Sequence, residues 1–68
     1  MDNKFAERLH DLRVEKNLSQ QQLSKELGVG RVIIGYWERG LNEPSLSKLI
    51  AIAKYFGVTI DYLAGLQD

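Results

Sequence analysis

The chain has no cysteine, one proline and one histidine among 68 residues. Without cysteine, no disulfide or thiolate metal site can staple the fold. With a lone His10 and no second ligand at metal spacing, neither a zinc site nor a histidine-dependent triad can be assembled. Glycine-rich phosphate loops of the P-loop or dinucleotide type are absent as well. No catalytic constellation and no cofactor is therefore expected, and the chain does not read as an enzyme. Apolar runs stay well short of the roughly 20 residues of a membrane span, and no basic-then-apolar signal segment opens the chain. These absences describe a soluble, cytoplasmic protein with no membrane partner. Net charge is zero, so the basic excess usual in nucleic-acid binders is missing too.

What is present is charge placed unevenly and helical periodicity throughout. Arg13, Lys16, Lys25, Arg31 and Arg39 outnumber Glu15, Glu26 and Glu38 in the stretch 13–39, a surplus of two cations. From Tyr55 onward the only charges are Asp61 and Asp68. A chain this short buries only about 60% of the surface it exposes when unfolded. Its stability must come from close helix packing, good caps or a partner subunit. No linker, repeat or strand-like alternation interrupts the pattern, and the expected span is one domain over 1–68.

Five helices are delimited by their own punctuation. The first runs from about Asn3 to Lys16, with Phe5, Leu9 and Leu12 on one face and Asn17 as a left-handed cap. The second starts with Ser19 as N-cap and Gln22 three residues on, a capping box, flanked by the Leu18–Leu23 staple. The third spans about Arg31 to Arg39 and is ended by Gly40. Its N-cap, Gly30, is weaker than serine by a few tenths of a kcal/mol. After the loop at Pro44, Ser45 caps a fourth helix whose expected apolar stripe is Leu46, Leu49, Ile50 and Ala53. Gly57 ends it, Thr59 caps a short fifth helix, and Gly65 closes the last turn.

The stretch QQQLSKELGVGRVIIGYWER, Gln20 to Arg39, carries the most information. Leu23 and Leu27 flank the small Ser24, and Gly28 suits the left-handed conformation that ends a helix. Val29, Ile34 and Trp37 then continue an apolar stripe at helical spacing. A small side chain followed by a glycine lets two helices cross closely. That is the requirement of a helix-turn-helix unit, here over about 19–39, whose second helix enters the DNA major groove.

LSQQQLSKELGV, WERG at Trp37 to Gly40, EPS at Glu43 to Ser45, and GVTIDYLAG at Gly57 to Gly65 occur in this order and spacing. Together they resemble the phage repressor/Cro-like (Xre-type) helix-turn-helix family over nearly the whole chain, about Phe5 to Gly65. The resemblance implies an all-α, compact five-helix bundle of the lambda repressor-like type. It also implies a prokaryotic, nucleoid-associated transcriptional regulator, most simply a repressor, binding double-stranded operator DNA as a homodimer on an inverted repeat. Gln20 matches the family's phosphate-contacting glutamine. Arg31, Val32, Gly35 and Tyr36 match the outward positions of the recognition helix. Arg13 and Glu38 match a structural ion pair between the first and third helices.

Each of these residues has its own chemistry. Arg31 can reach guanine O6 and N7 with a bidentate pair, whereas Val32 can only touch a thymine methyl. Tyr36 can donate to phosphate or cover a subunit contact. Glycine inside a helix costs about 0.8–1 kcal/mol relative to alanine. Two readings are open at Gly35: close approach of the DNA backbone, or tolerance within a helix held by tertiary contacts. Arg39, Asn42 and Lys48 lie where phosphate contacts are plausible. Val32 and Ile33 stand where the family more often has small polar residues. Together with Tyr36 they define the alternative reading, a protein-binding module on the same fold, antitoxin-like or co-regulatory. Ile60, Leu63 and Leu66 are the expected dimer contacts, or else the end of the monomer core.

Overall fold

Five α-helices follow one another in the computed structural model, which describes residues 3–68: α1 (Asn3–Glu15), α2 (Gln20–Leu27), α3 (Arg31–Glu38), α4 (Leu46–Phe56) and α5 (Ile60–Leu63). Residues 1 and 2 of the expected span lie outside the described residues. No strand occurs among the described residues, so the all-α expectation holds.

The helix ends follow from the side chains that stand there. Ser19 Oγ accepts from the Gln22 N–H at 3.0 Å, and the Gln22 side-chain oxygen accepts from the Ser19 N–H at 2.8 Å. Two backbone donors that the helix cannot satisfy itself are thus covered reciprocally. Ser45 and Thr59 accept in the same way from the N–H groups of Lys48 and Tyr62. Gly30 caps α3 without a side-chain bond. At the other ends, Asn17 and Gly28 take left-handed backbone angles, φ 58° and 69°. Two boundaries differ by one residue from expectation. α1 stops at Glu15, and α3 stops at Glu38 with Arg39 as its C-cap. Helix ends fray by about a residue, and their last turns often tighten to i→i+3 bonds.

The core gathers Phe5 and Leu9 of α1, Leu23 and Leu27 of α2, and Ile34 and Trp37 of α3. From α4 and α5 it adds Leu49, Ile52, Ala53 and Leu63. Each fully buried Leu, Ile or Phe contributes roughly 1.5–3 kcal/mol relative to exposure. Ser24 is the one buried polar residue among those described, and its Oγ donates to the Gln21 carbonyl at 2.7 Å. The hydroxyl is therefore satisfied within its own helix, and the small side chain leaves room for α2 to press against its neighbours. Val29 Nα donates to the Ser24 carbonyl at 3.0 Å, which turns the chain sharply from α2 into α3.

Packing corrects two sequence expectations and decides between the two readings of a third. The apolar face of α4 is Leu49, Ile52 and Ala53, while Leu46 is 69% exposed and Ile50 also faces outward. The same helical template fits both stripes, because apolar residues fill one turn more than the core can reach. Ile33 packs against the core instead of standing on the outer face of α3. Leu63 is fully buried and Ile60 packs beside it. Of the three expected dimer contacts, only Leu66 stays open, at 79% exposure.

Candidate nucleic-acid interface

The N-terminal end of α2 and one face of α3 along its length, with the middle of α1, border an open concavity of about 390 Å³. It is lined by His10, Gln20, Arg31, Val32, Gly35, Glu38 and Arg39. Five of the residues expected to face DNA thus converge on one surface. The turn at Gly28 and the cap at Gly30 aim the first turn of α3, with Arg31 and Val32, outward while Ile34 and Trp37 point into the core.

At the floor lies a hydrogen-bonded knot. Arg13 donates to Glu38 through Nε at 2.6 Å and Nη2 at 3.0 Å, and Gln20 Nε2 donates to the same carboxylate at 3.2 Å. Arg13 Nη1 donates to the Leu18 carbonyl at 2.8 Å, joining the α1–α2 turn to the knot. The Arg13 and Glu38 side chains are only 13% and 5% exposed. The hydrogen bond that Arg13 donates to Glu38 holds its guanidinium above its ordinary pKa, against an opposing effect of burial. Charge-assisted bidentate pairs of this kind fix orientation as well as distance. One carboxylate thus ties α1, α2 and α3 together and sets the pose of Gln20.

Electrostatically, the knot leaves the concavity positive. The Glu38 charge is spent on Arg13 and Gln20, whereas Arg31 is exposed and has no hydrogen bond or ion pair to another described residue. Arg39 is braced from its own helix: its Nε donates to the Gly35 carbonyl at 3.2 Å, and its guanidinium lies 5.5 Å from the centre of the Tyr36 ring. Val32, 52% exposed, is the apolar element of this wall.

Not every expected contact residue lies here. Tyr36 is exposed beside the concavity under Arg39, and Asn42 is exposed in the loop after α3. The Lys48 ammonium donates to the Leu27 carbonyl at 2.9 Å, covering the C-terminal end of α2, where cations are favoured by the helix dipole. The sequence reading also passed over His10 as an interface residue. Its position was available from spacing: it lies three residues before Arg13, and residues three apart share a helix face.

A Cβ built on Gly35 would come no closer than 3.8 Å to Arg39 or Gln20. That is ordinary van der Waals contact, so nothing in the protein's own packing demands glycine there. Gly35→Ala is expected to stabilise the fold by about 0.8–1 kcal/mol, the helix-propensity gain. If DNA approaches this point, the same change weakens DNA binding roughly tenfold, about 1.4 kcal/mol. Thermal unfolding and a binding titration on one preparation read both effects. Higher stability with unchanged affinity would assign Gly35 to tolerance alone.

A fold of five helices with an outward-facing α3 and a cationic wall defines a helix-turn-helix domain. The helix-turn-helix family model matches residues 9–63, and the chain belongs to that family. It is 47% identical over 64 residues to the HTH-type transcriptional activator BcrR of Enterococcus faecalis, covering 94% of this chain and 31% of that protein. It is also 36% identical over 56 residues to the CTXphi transcriptional repressor RstR of Vibrio cholerae, covering 82% of this chain and 50% of that one. The chain therefore spans half or less of the length of these curated relatives. Its fold superposes on the P22 c2 repressor, solved in complex with a synthetic operator, with a TM-score of 0.87 and 33% identity. That match covers 93% of this chain and 96% of the other.

Proposed function

We propose that the chain reads double-stranded operator DNA as part of a sequence-specific transcriptional regulator, acting as a repressor by occupying its site. The observation that carries this reading is the convergence of Arg31, Arg39 and Gln20 on one concavity, beside an α3 whose first turn faces outward. In this arrangement α3 lies in the major groove. Arg31 pairs with guanine and Val32 meets a thymine methyl. Gln20 and the free N–H groups that open α2 hold a backbone phosphate. Tyr36, Arg39 and Asn42 continue the phosphate track past Gly40. Lys48 joins it only by sharing its ammonium, which has three donors and spends one on Leu27.

The unit that binds is a homodimer on an inverted repeat, with half-sites about 10–10.5 bp apart or a multiple of that. Leu66 and the outward pair Leu46 and Ile50 are among the apolar side chains that the monomer leaves open. No helix among the described residues is long and apolar enough to cross a membrane, which accords with a place on the nucleoid of a prokaryote.

The test is selection of bound sites from a random duplex library, followed by titration of the selected duplex against salt. The expected result is a two-fold site whose affinity falls steeply, by a log–log slope of about −0.9 for each phosphate engaged. Affinity that hardly responds to salt, or no enriched site, would move the reading to a protein partner. That alternative has lost part of its basis, because Ile33 packs against the core and leaves Val32 and Tyr36 as the exposed apolar groups of α3.

A further inference from the structure

His10 is the one lining residue of the concavity contributed by α1 that the DNA contacts above do not use. Its ring is about half exposed, and its Nδ1 lies 3.5 Å from the exposed Asp11 carboxylate, a loose contact within the same helix. The charged groups around it are few. On α1 they are Asp11, with Glu7 and Arg13 one turn to either side; α2 presents only the uncharged Gln20; α3 presents Arg31, Glu38 and Arg39. Arg13 and Glu38 neutralise each other in their pair. What remains is Arg31 and Arg39 on the concavity, with Asp11 and Glu7 on α1 outside its lining.

We infer that His10 binds a DNA phosphate as imidazolium at the rim of the concavity, so that operator binding takes up a proton. This rests on the DNA-binding reading above and adds a contact and a pH dependence to it. The physics is a change of neighbours. His10 shares this wall with Arg31 and Arg39. A phosphate backbone laid across the wall brings negative charge beside the ring and favours its charged form, which then donates a charge-assisted hydrogen bond. Histidine is the side chain whose charge ordinarily changes between pH 5 and 8. The complex then holds more protons than the free partners, so affinity rises as pH falls.

The experiment measures affinity for the selected duplex at pH 6 and pH 8 at constant ionic strength, for the wild type, His10→Gln and His10→Arg. Wild-type binding is expected to be about three- to tenfold tighter at pH 6, the effect of one added phosphate contact. His10→Gln should lose that difference, and any contribution of the α-amino group cancels in the comparison. His10→Arg should bind at pH 8 as the wild type does at pH 6, with no dependence on pH. Trp37 fluorescence, on a side chain buried in the core, reports that each variant is folded. The same pH dependence in wild type and His10→Gln would overturn the assignment of His10 and leave the DNA reading standing. No DNA binding by the folded wild type at either pH would overturn both.

Discussion

Glu38→Ala is expected to lower the unfolding free energy by about 3–5 kcal/mol, the usual cost of removing one partner from a buried ion pair. A domain of this length has a total stability of only about 3–10 kcal/mol, so the variant should be largely unfolded or close to it. Three donors aim at the Glu38 carboxylate, two from Arg13 and one from Gln20. Without it, the nearly buried Arg13 guanidinium keeps only the Leu18 carbonyl. Removing both charges should hurt less than removing one. Arg13→Met with Glu38→Leu fills a similar volume without leaving a charge stranded, and should recover most of the loss. Urea unfolding followed through Trp37 measures all three proteins. A Glu38→Ala variant within 1 kcal/mol of wild type, on the order of a surface pair, would show that the knot is decorative. Because the Arg13 pKa is raised, its contribution is fully present below the unfolded guanidinium value and fades only as pH rises through the still higher folded one. Arg13 itself therefore adds no pH dependence near neutrality.

Gln20→Ala combined with Arg31→Ala should weaken binding to the selected duplex by about a hundredfold or more. Arg31 supplies about 1–3 kcal/mol of base discrimination, and a hydrogen bond to a charged phosphate is worth about 1.5–3 kcal/mol. The two changes should separate in kind. Arg31→Ala relaxes preference at one base position, whereas Gln20→Ala weakens all sequences alike and leaves the salt slope nearly unchanged, because the lost amide carries no charge. Folding should survive both. Arg31 is exposed without a described partner, and loss of the Gln20 bond to the Glu38 carboxylate costs about 1.5–3 kcal/mol while leaving the Arg13–Glu38 pair in place. A double variant that binds as the wild type does would remove α3 from the DNA.

How much of this was legible before the fold was known differs from element to element. Ser19 with Gln22, Ser45, Thr59, Asn17 and Gly28 all cap where sequence placed them. Caps are settled within four residues, by a hydroxyl reaching a nearby N–H or a backbone that tolerates positive φ. The Gln20 to Arg39 stretch was readable for the same reason. A small residue, a left-handed glycine and an apolar stripe constrain one another over a short distance.

The α4 face was misread because periodicity states only that Leu46, Leu49, Ile50 and Ala53 share a side, and Leu49, Ile52, Ala53 and Phe56 share another. Which side is buried depends on where α5 and α2 lie. Ile33 likewise came to lie against the core through packing, since a helix just two turns long presents almost every position to something.

By itself, then, the sequence determined the helices, their ends, the sharp turn between α2 and α3, and the family to which the chain belongs. These rest on short-range hydrogen bonding and helical spacing, which act between residues close in the chain. Only the tertiary structure decided that Glu38 serves Arg13 and Gln20 at once, that Lys48 closes the end of α2, that Ile60 and Leu63 complete the core, and that His10 shares a wall with Arg31 and Arg39. These join groups up to dozens of residues apart. Such contacts are set by which faces several helices bury together, a choice that no local pattern contains.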